Sequence, residues 1–194
     1  METINSQLFN LLFKKAFIYR ENSPFKLASG QESHYYFNCK TVTLDPQGIN
    51  LIAQVILEKY TSLFINENTQ AIGGLTLGAD PISLATSMLA YQKGITINPL
   101  IVRKEPKKHG TQKWIEGHLE NVKNVIVIDD VITTGGSTIL AIERMKESGL
   151  QVKKALVLID REEGGKKNIE DLGLEVLSLF KKTDFDQKRL DQNN

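Results

Sequence analysis

Three observations place the chain in the α/β class, with a twisted parallel sheet and helices on both sides. Strand-like and helix-like stretches alternate along most of its length, the pattern that right-handed β-α-β crossovers produce. Val125-Ile126-Val127-Ile128 is a run of β-branched apolar residues, as expected for a strand buried on both faces. A small, hydroxyl-rich turn, Thr133-Thr134-Gly135-Gly136-Ser137-Thr138, then leads into the helical pattern that begins at Ile139.

The elements follow in order. From Gln7 to Arg20 the apolar positions Leu8, Leu11, Leu12, Ala16 and Tyr19 recur at helical spacing, and Ser23-Pro24 ends the segment. Residues from Phe25 to Lys40 read as irregular or extended, because Ser, Gly, aromatic and polar groups interleave. A second helix fits Gly48 to Tyr60, where Ile49, Ile52, Val55, Ile56 and Tyr60 share a face. Ala71-Ile72 makes a short strand that ends in Gly73-Gly74. The next helix has Asp80 as N-cap, Pro81 at its first position and Gly94 as its stop. Strands are expected at Ile97–Val102, Val125–Ile128, Ala155–Ile159 and Leu174–Phe180. The helix after the signature strand stops near Gly149, and no internal repeat or low-complexity linker is present.

Bulk properties exclude several classes. A chain of 194 residues, 41% hydrophobic and 24% charged, suits one well-buried domain. A formal charge of +1 and the lack of a basic tail give no reason to expect nucleic acid. The single cysteine, Cys39, excludes an internal disulfide and is compatible with a reducing compartment. No apolar run approaches membrane-spanning length, and Met1-Glu2-Thr3-Ile4-Asn5 lacks a signal-peptide pattern. A cytoplasmic enzyme is the simplest reading.

The chemistry concentrates where the signature strand ends. Asp129 and Asp130 are expected at its carboxyl end, the edge at which open α/β sheets bind ligands. Backbone N–H groups and hydroxyls of the following turn can surround a phosphate at a helix N-terminus. Two acids beside a phosphate would repel it unless something lies between. A ribose 5-phosphate satisfies both, its hydroxyls donating to the carboxylates while its phosphate sits in the turn. The turn is not a Walker A loop, because no Lys precedes its Ser/Thr.

This stretch resembles the phosphoribosyl-pyrophosphate (PRPP) signature of the type I phosphoribosyltransferases. Other stretches sharpen the resemblance to orotate phosphoribosyltransferases. Arg103-Lys104-Glu105-Pro106-Lys107-Lys108-His109-Gly110 is by composition a solvated basic loop, yet it resembles that family's catalytic loop. Phe25 to Asn38 resembles its nucleobase-binding segment, including the pattern Phe25-x-Leu27-x-Ser29-Gly30-x-x-Ser33. Ala28 stands where many members carry a Lys that reaches PRPP. Gly74 to Pro81 resembles the short pyrophosphate loop, with Leu77-Gly78 where some members have Tyr-Lys, so contacts there are mainly backbone. Arg161, after the strand ending at Ile159, matches the Arg that the family uses on orotate. Its alternative reading is an ion pair with Glu162 or Glu163 at the surface.

The resemblance implies a phosphoribosyltransferase fold over residues 1–194, with a small hood from about 1–45 and the C-terminal segment. It implies Lys107, His109, Asp129 and Asp130 as catalytic residues. PRPP would be held by Arg103, Lys104, Lys107, His109, Thr76, Leu77, Gly78, Asp129, Asp130, Val131, Ile132, Thr133, Thr134, Gly135, Gly136 and Ser137. Tyr36, Phe37, Thr133 and Arg161 would hold orotate. Mg²⁺ is the implied cofactor, bound through substrate and water near Asp129 and Asp130. A homodimer is implied, with the basic loop acting across subunits. His34 and His118 read as surface residues and Cys39 as a packed one. Two alternatives stand beside this reading. One is transfer to another nucleobase, against which Phe25–Asn38 and Arg161 speak. The other is a non-catalytic PRPP-sensing regulator, against which the loop cations speak.

Overall fold

The structure is a computed structural model and describes residues 2–26, 32–106 and 114–193. Helix α1 (Ile4–Lys15) opens at Thr3, whose hydroxyl accepts the N–H of Ser6, and buries Leu8 and Leu12. It ends five residues before the expected Arg20, because Phe17–Tyr19 leave the helix to form strand β1. Short strands β2 (Phe25–Lys26), β3 (Glu32–Ser33) and β4 (Tyr35–Phe37) follow. β1 pairs antiparallel with β4, and β2 with β3. Aromatic and β-branched side chains favour that extended state, so Tyr19 belongs to a strand although its spacing is helical.

After α2 (Lys40–Thr43), helix α3 (Pro46–Ile65) starts earlier than expected. Asp45 caps it by accepting the N–H of Gly48, and Pro46 occupies the first turn, where its missing N–H costs nothing. Strand β5 (Ala71–Leu75), helix α4 (Ala79–Gln92), strand β6 (Asn98–Val102) and the short β7 (Ile115–Glu116) come next. The signature strand is β8 (Asn124–Ile132), then α5 (Gly136–Glu147), β9 (Gln151–Asp160), α6 (Gly165–Glu170), β10 (Glu175–Lys181) and α7 (Lys182–Asn193).

The main sheet has the order β10-β9-β8-β5-β6-β7, parallel except for the β6–β7 pair. α4 carries the chain outward from β5 to β6, and β8 then returns on the other side of β5. Strand order therefore reverses between β5 and β8, which is where such a sheet opens a crevice. Alternation sorts β8 between two cores. Ile126 and Ile128 pack with Leu8, Ile52 and Ile82 from α1, α3 and α4. Val125 and Val127 pack instead with Ala141, Ile142 and Met145 of α5.

One expectation about β8 needs correction. Asp129 and Asp130 do not follow the strand; they lie within it, since pairing with β9 continues through Asp129↔Val157 to Ile132↔Asp160. Both neighbouring strands crowd β5 as well. A Cβ on Gly73 would come within 2.2 Å of the Leu100 carbonyl oxygen, and one on Gly74 within 2.0 Å of that of Ile128. Gly74→Ala is expected to destabilise the fold by about 1–3 kcal/mol, the usual cost of overpacking. Urea unfolding measures it, and an unchanged midpoint would contradict this packing.

Candidate active site

The acid pair is almost enclosed, with Asp129 5% and Asp130 7% exposed. Asp129 Oδ1 accepts the N–H of Asp130 at 3.0 Å, and Oδ2 accepts the hydroxyl of Thr138 at 2.8 Å. Asp130 Oδ1 accepts the N–H of Val131 at 3.0 Å. Burial, then the neighbouring charge of Asp130, raises the carboxyl of Asp129 from its ordinary 3.8 to about 7. The bonds from Thr138 and the Asp130 backbone pull the other way. The Thr138 hydroxyl is thus engaged by the acid pair, although the residue lines the hollow of the turn. It is fully buried and turned back onto Asp129.

Thr133 to Ser137 form the turn into α5. Gly135 takes a left-handed φ of +84°, and no side chain caps the helix there, so its first N–H groups remain available to an anion. Ile132 has its side chain in the core and its carbonyl bonded to the Arg161 N–H, at the last pair of β8 with β9. The turn is braced from behind by α6, a part that sequence reasoning missed. Gly165 N–H donates to the Thr133 carbonyl at 2.8 Å, and Asn168 Nδ2 donates to the Thr134 carbonyl at 3.0 Å. A Cβ on Gly165 would lie 2.4 Å from the Thr133 carbonyl oxygen and 2.8 Å from the Gly135 nitrogen. The dipeptide Gly164-Gly165 was the available signal, whereas nothing in the sequence marks Asn168.

Across the crevice, the turn after β5 presents Thr76, an exposed Leu77 and Gly78. Gly78 stands against the acids, since a Cβ there would be 2.5 Å from Asp130 Oδ1 and 3.2 Å from Asp129 Oδ1. Asp80 is not the N-cap. α4 begins at Ala79, two residues before the expected Pro81, and Asp80 in its first turn accepts the Thr76 hydroxyl at 2.6 Å through Oδ2. A carboxylate there still benefits from the positive end of the helix. Arg103 and Lys104 line the same hollow as Thr76 and Asp80. Arg103 pairs with Glu116 at 3.3 Å, and its N–H donates to the Trp114 carbonyl. Lys107, Lys108 and His109 lie outside the described residues. No group of three or more His, Cys, Asp or Glu suited to a metal ion occurs among the described residues.

On the base side, alternation along β4 separates the two aromatics. Tyr36 is 41% exposed, with its ring 5.3 Å from that of Phe25. Phe37 faces the other way, its ring buried against Phe17 and Phe185. Arg161 follows β9 directly, its N–H donating to the Ile132 carbonyl at 3.0 Å. Its side chain is buried and its Nη2 lies 2.7 Å from Glu163 Oε1. Glu162 instead turns away and accepts the N–H of Thr183 at the start of α7. The ion pair weighed as an alternative therefore exists, but the guanidinium is not at the surface. His34 and His118 are exposed and Cys39 is buried.

This arrangement has close counterparts. Residues 83–178 match the family model described as a phosphoribosyl transferase domain. An orotate phosphoribosyltransferase of Leptospira biflexa is 45% identical over 172 residues, covering 88% of this chain and 92% of the relative. One from Aquifex aeolicus is 42% identical over 175 residues, covering 90% and 93%. The Mycobacterium tuberculosis orotate phosphoribosyltransferase in complex with PRPP has a TM-score of 0.74 at 28% identity, over 94% of this chain and 99% of that one. With relatives this similar along nearly their whole length, the chain belongs to the orotate phosphoribosyltransferase family.

Proposed function

We infer that the protein transfers the 5-phosphoribosyl group of PRPP to orotate, giving orotidine 5-monophosphate and pyrophosphate in pyrimidine biosynthesis. The observation that carries the site reading is the convergence of acid pair, uncapped helix turn and buried guanidinium on one sheet edge. In this reading the bond from ribose C1 to pyrophosphate oxygen breaks as the bond to the orotate ring nitrogen forms. Positive charge grows on the ribose meanwhile. Asp129 and Asp130 hold the ribose hydroxyls and offset that charge. Thr133, Thr134, Gly135, Gly136 and Ser137, with the backbone of Val131 and Ile132, grip the 5-phosphate, so that remote binding energy orients C1.

Thr76, Leu77 and Gly78, with Arg103 and Lys104, take the pyrophosphate. Lys107 and His109 are assigned to it by family resemblance. Tyr36 and Thr133 flank the base, and Arg161 meets its carboxylate, for which a guanidinium is well shaped. Orotate reacts as an anion, so no general base is needed. The oxygen donors at the acid pair suit a hard divalent cation that takes most of its ligands from substrate and water. Mg²⁺, when bound, neutralises charge on the pyrophosphate. The decisive experiment follows the absorbance of orotate on mixing with PRPP and Mg²⁺. Loss that requires both is expected; none, with PRPP still bound, would move the assignment to another nucleobase.

A second copy of the chain is the proposed partner. Leu84, Met88 and Tyr91 form an exposed apolar stripe along α4, 43%, 66% and 75% exposed, and such stripes mark association surfaces. Sedimentation velocity is expected to show a dimer that Met88→Glu weakens; a monomer at every concentration would exclude this interface. No helix among the described residues is long and apolar enough to cross a membrane. A cytoplasmic setting fits the single, unpaired Cys39.

The acid pair also predicts a pH effect on the ligand-free protein. Where both the folded and the unfolded chain hold the Asp129 proton, in acid, its burial costs no stability. The cost enters as pH rises from 3.8 towards about 7, because the unfolded chain sheds its proton first. Asp129→Asn removes this titration. Its melting temperature relative to the natural protein should therefore climb across that window; a difference independent of pH would contradict the burial described.

A further inference from the structure

Ser33 closes the Phe25-to-Ser33 pattern, yet the reading above gives it no task. Its hydroxyl donates to the Tyr35 carbonyl at 3.1 Å and accepts the Tyr35 N–H at 3.2 Å. Arg161 Nη2 donates to the same hydroxyl oxygen at 3.2 Å and to the Tyr35 carbonyl at 3.4 Å. One donor hydrogen and two lone pairs are all a serine hydroxyl has, so every one is used. Glu163 Oε1 lies 2.7 Å from the same nitrogen. Glu163 balances the charge of the guanidinium, and Ser33 and the Tyr35 carbonyl add neutral contacts to the same nitrogen.

The rest of the guanidinium carries the consequence. Arg161 is only 4% exposed, and among the described residues its Nε has no hydrogen-bond partner. A buried, unpaired N–H on a cation is costly, and an incoming carboxylate would relieve it. We propose that Ser33 is a positioning residue: by holding Nη2 it fixes the guanidinium plane and leaves the Nε side for the carboxylate of the base. This rests on the orotate reading and assigns specificity within it. Ser33, at the end of β3, thereby acts on the reacting base through Arg161.

The test is steady-state kinetics on Ser33→Ala, Arg161→Ala and the double variant, with orotate and PRPP varied separately. Ser33→Ala should raise KM for orotate about tenfold, the worth of a hydrogen bond to a charged group. Its kcat and its KM for PRPP should stay within about twofold, since neither reports uniform binding of the base. In the Arg161→Ala background the same change should add less than about twofold, as expected of coupled neighbours. Ser33→Thr, which keeps the hydroxyl, should restore most of the affinity. Equal losses in both backgrounds, or losses spread over PRPP and kcat, would overturn the inference while leaving the orotate reading intact. A natural protein that leaves orotate untouched with PRPP and Mg²⁺ would sink both together.

Discussion

Asp129 and Asp130 sit inside a parallel strand, where two adjacent carboxylates must be matched by what surrounds them if the chain is to fold. The surroundings are accordingly specific. Thr138 turns its hydroxyl onto Asp129. Backbone N–H groups of Asp130 and Val131 serve Asp129 Oδ1 and Asp130 Oδ1. Gly78 lacks a side chain because a Cβ would strike the acids, and the turn after β5 can therefore close to them. Burial of like charges thus shapes both walls of the crevice, and it raises the Asp129 carboxyl to about 7.

Around this point the molecule separates rigidity from contact. α1, β1, β4 and α7 meet at an aromatic cluster in which Phe185 is fully buried against Phe9, Phe17 and Phe37. That cluster holds β4 in place, while Tyr36 on the opposite side of the same strand stays open. A strand's two-residue period does this sorting without any further device. Glu162 adds a link at the other end, reaching from beside Arg161 to the first turn of α7.

Long, strongly patterned elements were legible in the sequence. Val125–Ile128, Ala155–Ile159 and the helix after Gly48 announce themselves by apolar runs or spacing, and the acid-plus-turn motif marks the crevice. Shorter or context-bound features were not. Tyr19 has helical spacing but is captured by β4. Asp80 has the look of a cap, yet Thr76 engages it from outside the helix. Phe37 and Tyr36 are neighbours whose opposite fates depend on which face of β4 meets the core. α7 was missed because it is almost wholly polar, with Phe185 as its main apolar anchor. In each case tertiary contact, rather than local preference, decides the outcome.

The contact between the phosphate turn and α6 has a consequence for how this sequence can change over time. Gly135 and Gly165 face each other so closely that a side chain on either would meet the backbone of the other, at 3.1 Å from one side and 2.8 Å from the other. Substitution at one position cannot be rescued at its partner, since that partner has no atoms to remove. Elsewhere in α6, the exposed Lys167 and Glu170 meet no such limit. A change at Gly135 or Gly165 therefore has to be absorbed by moving the phosphate turn against α6.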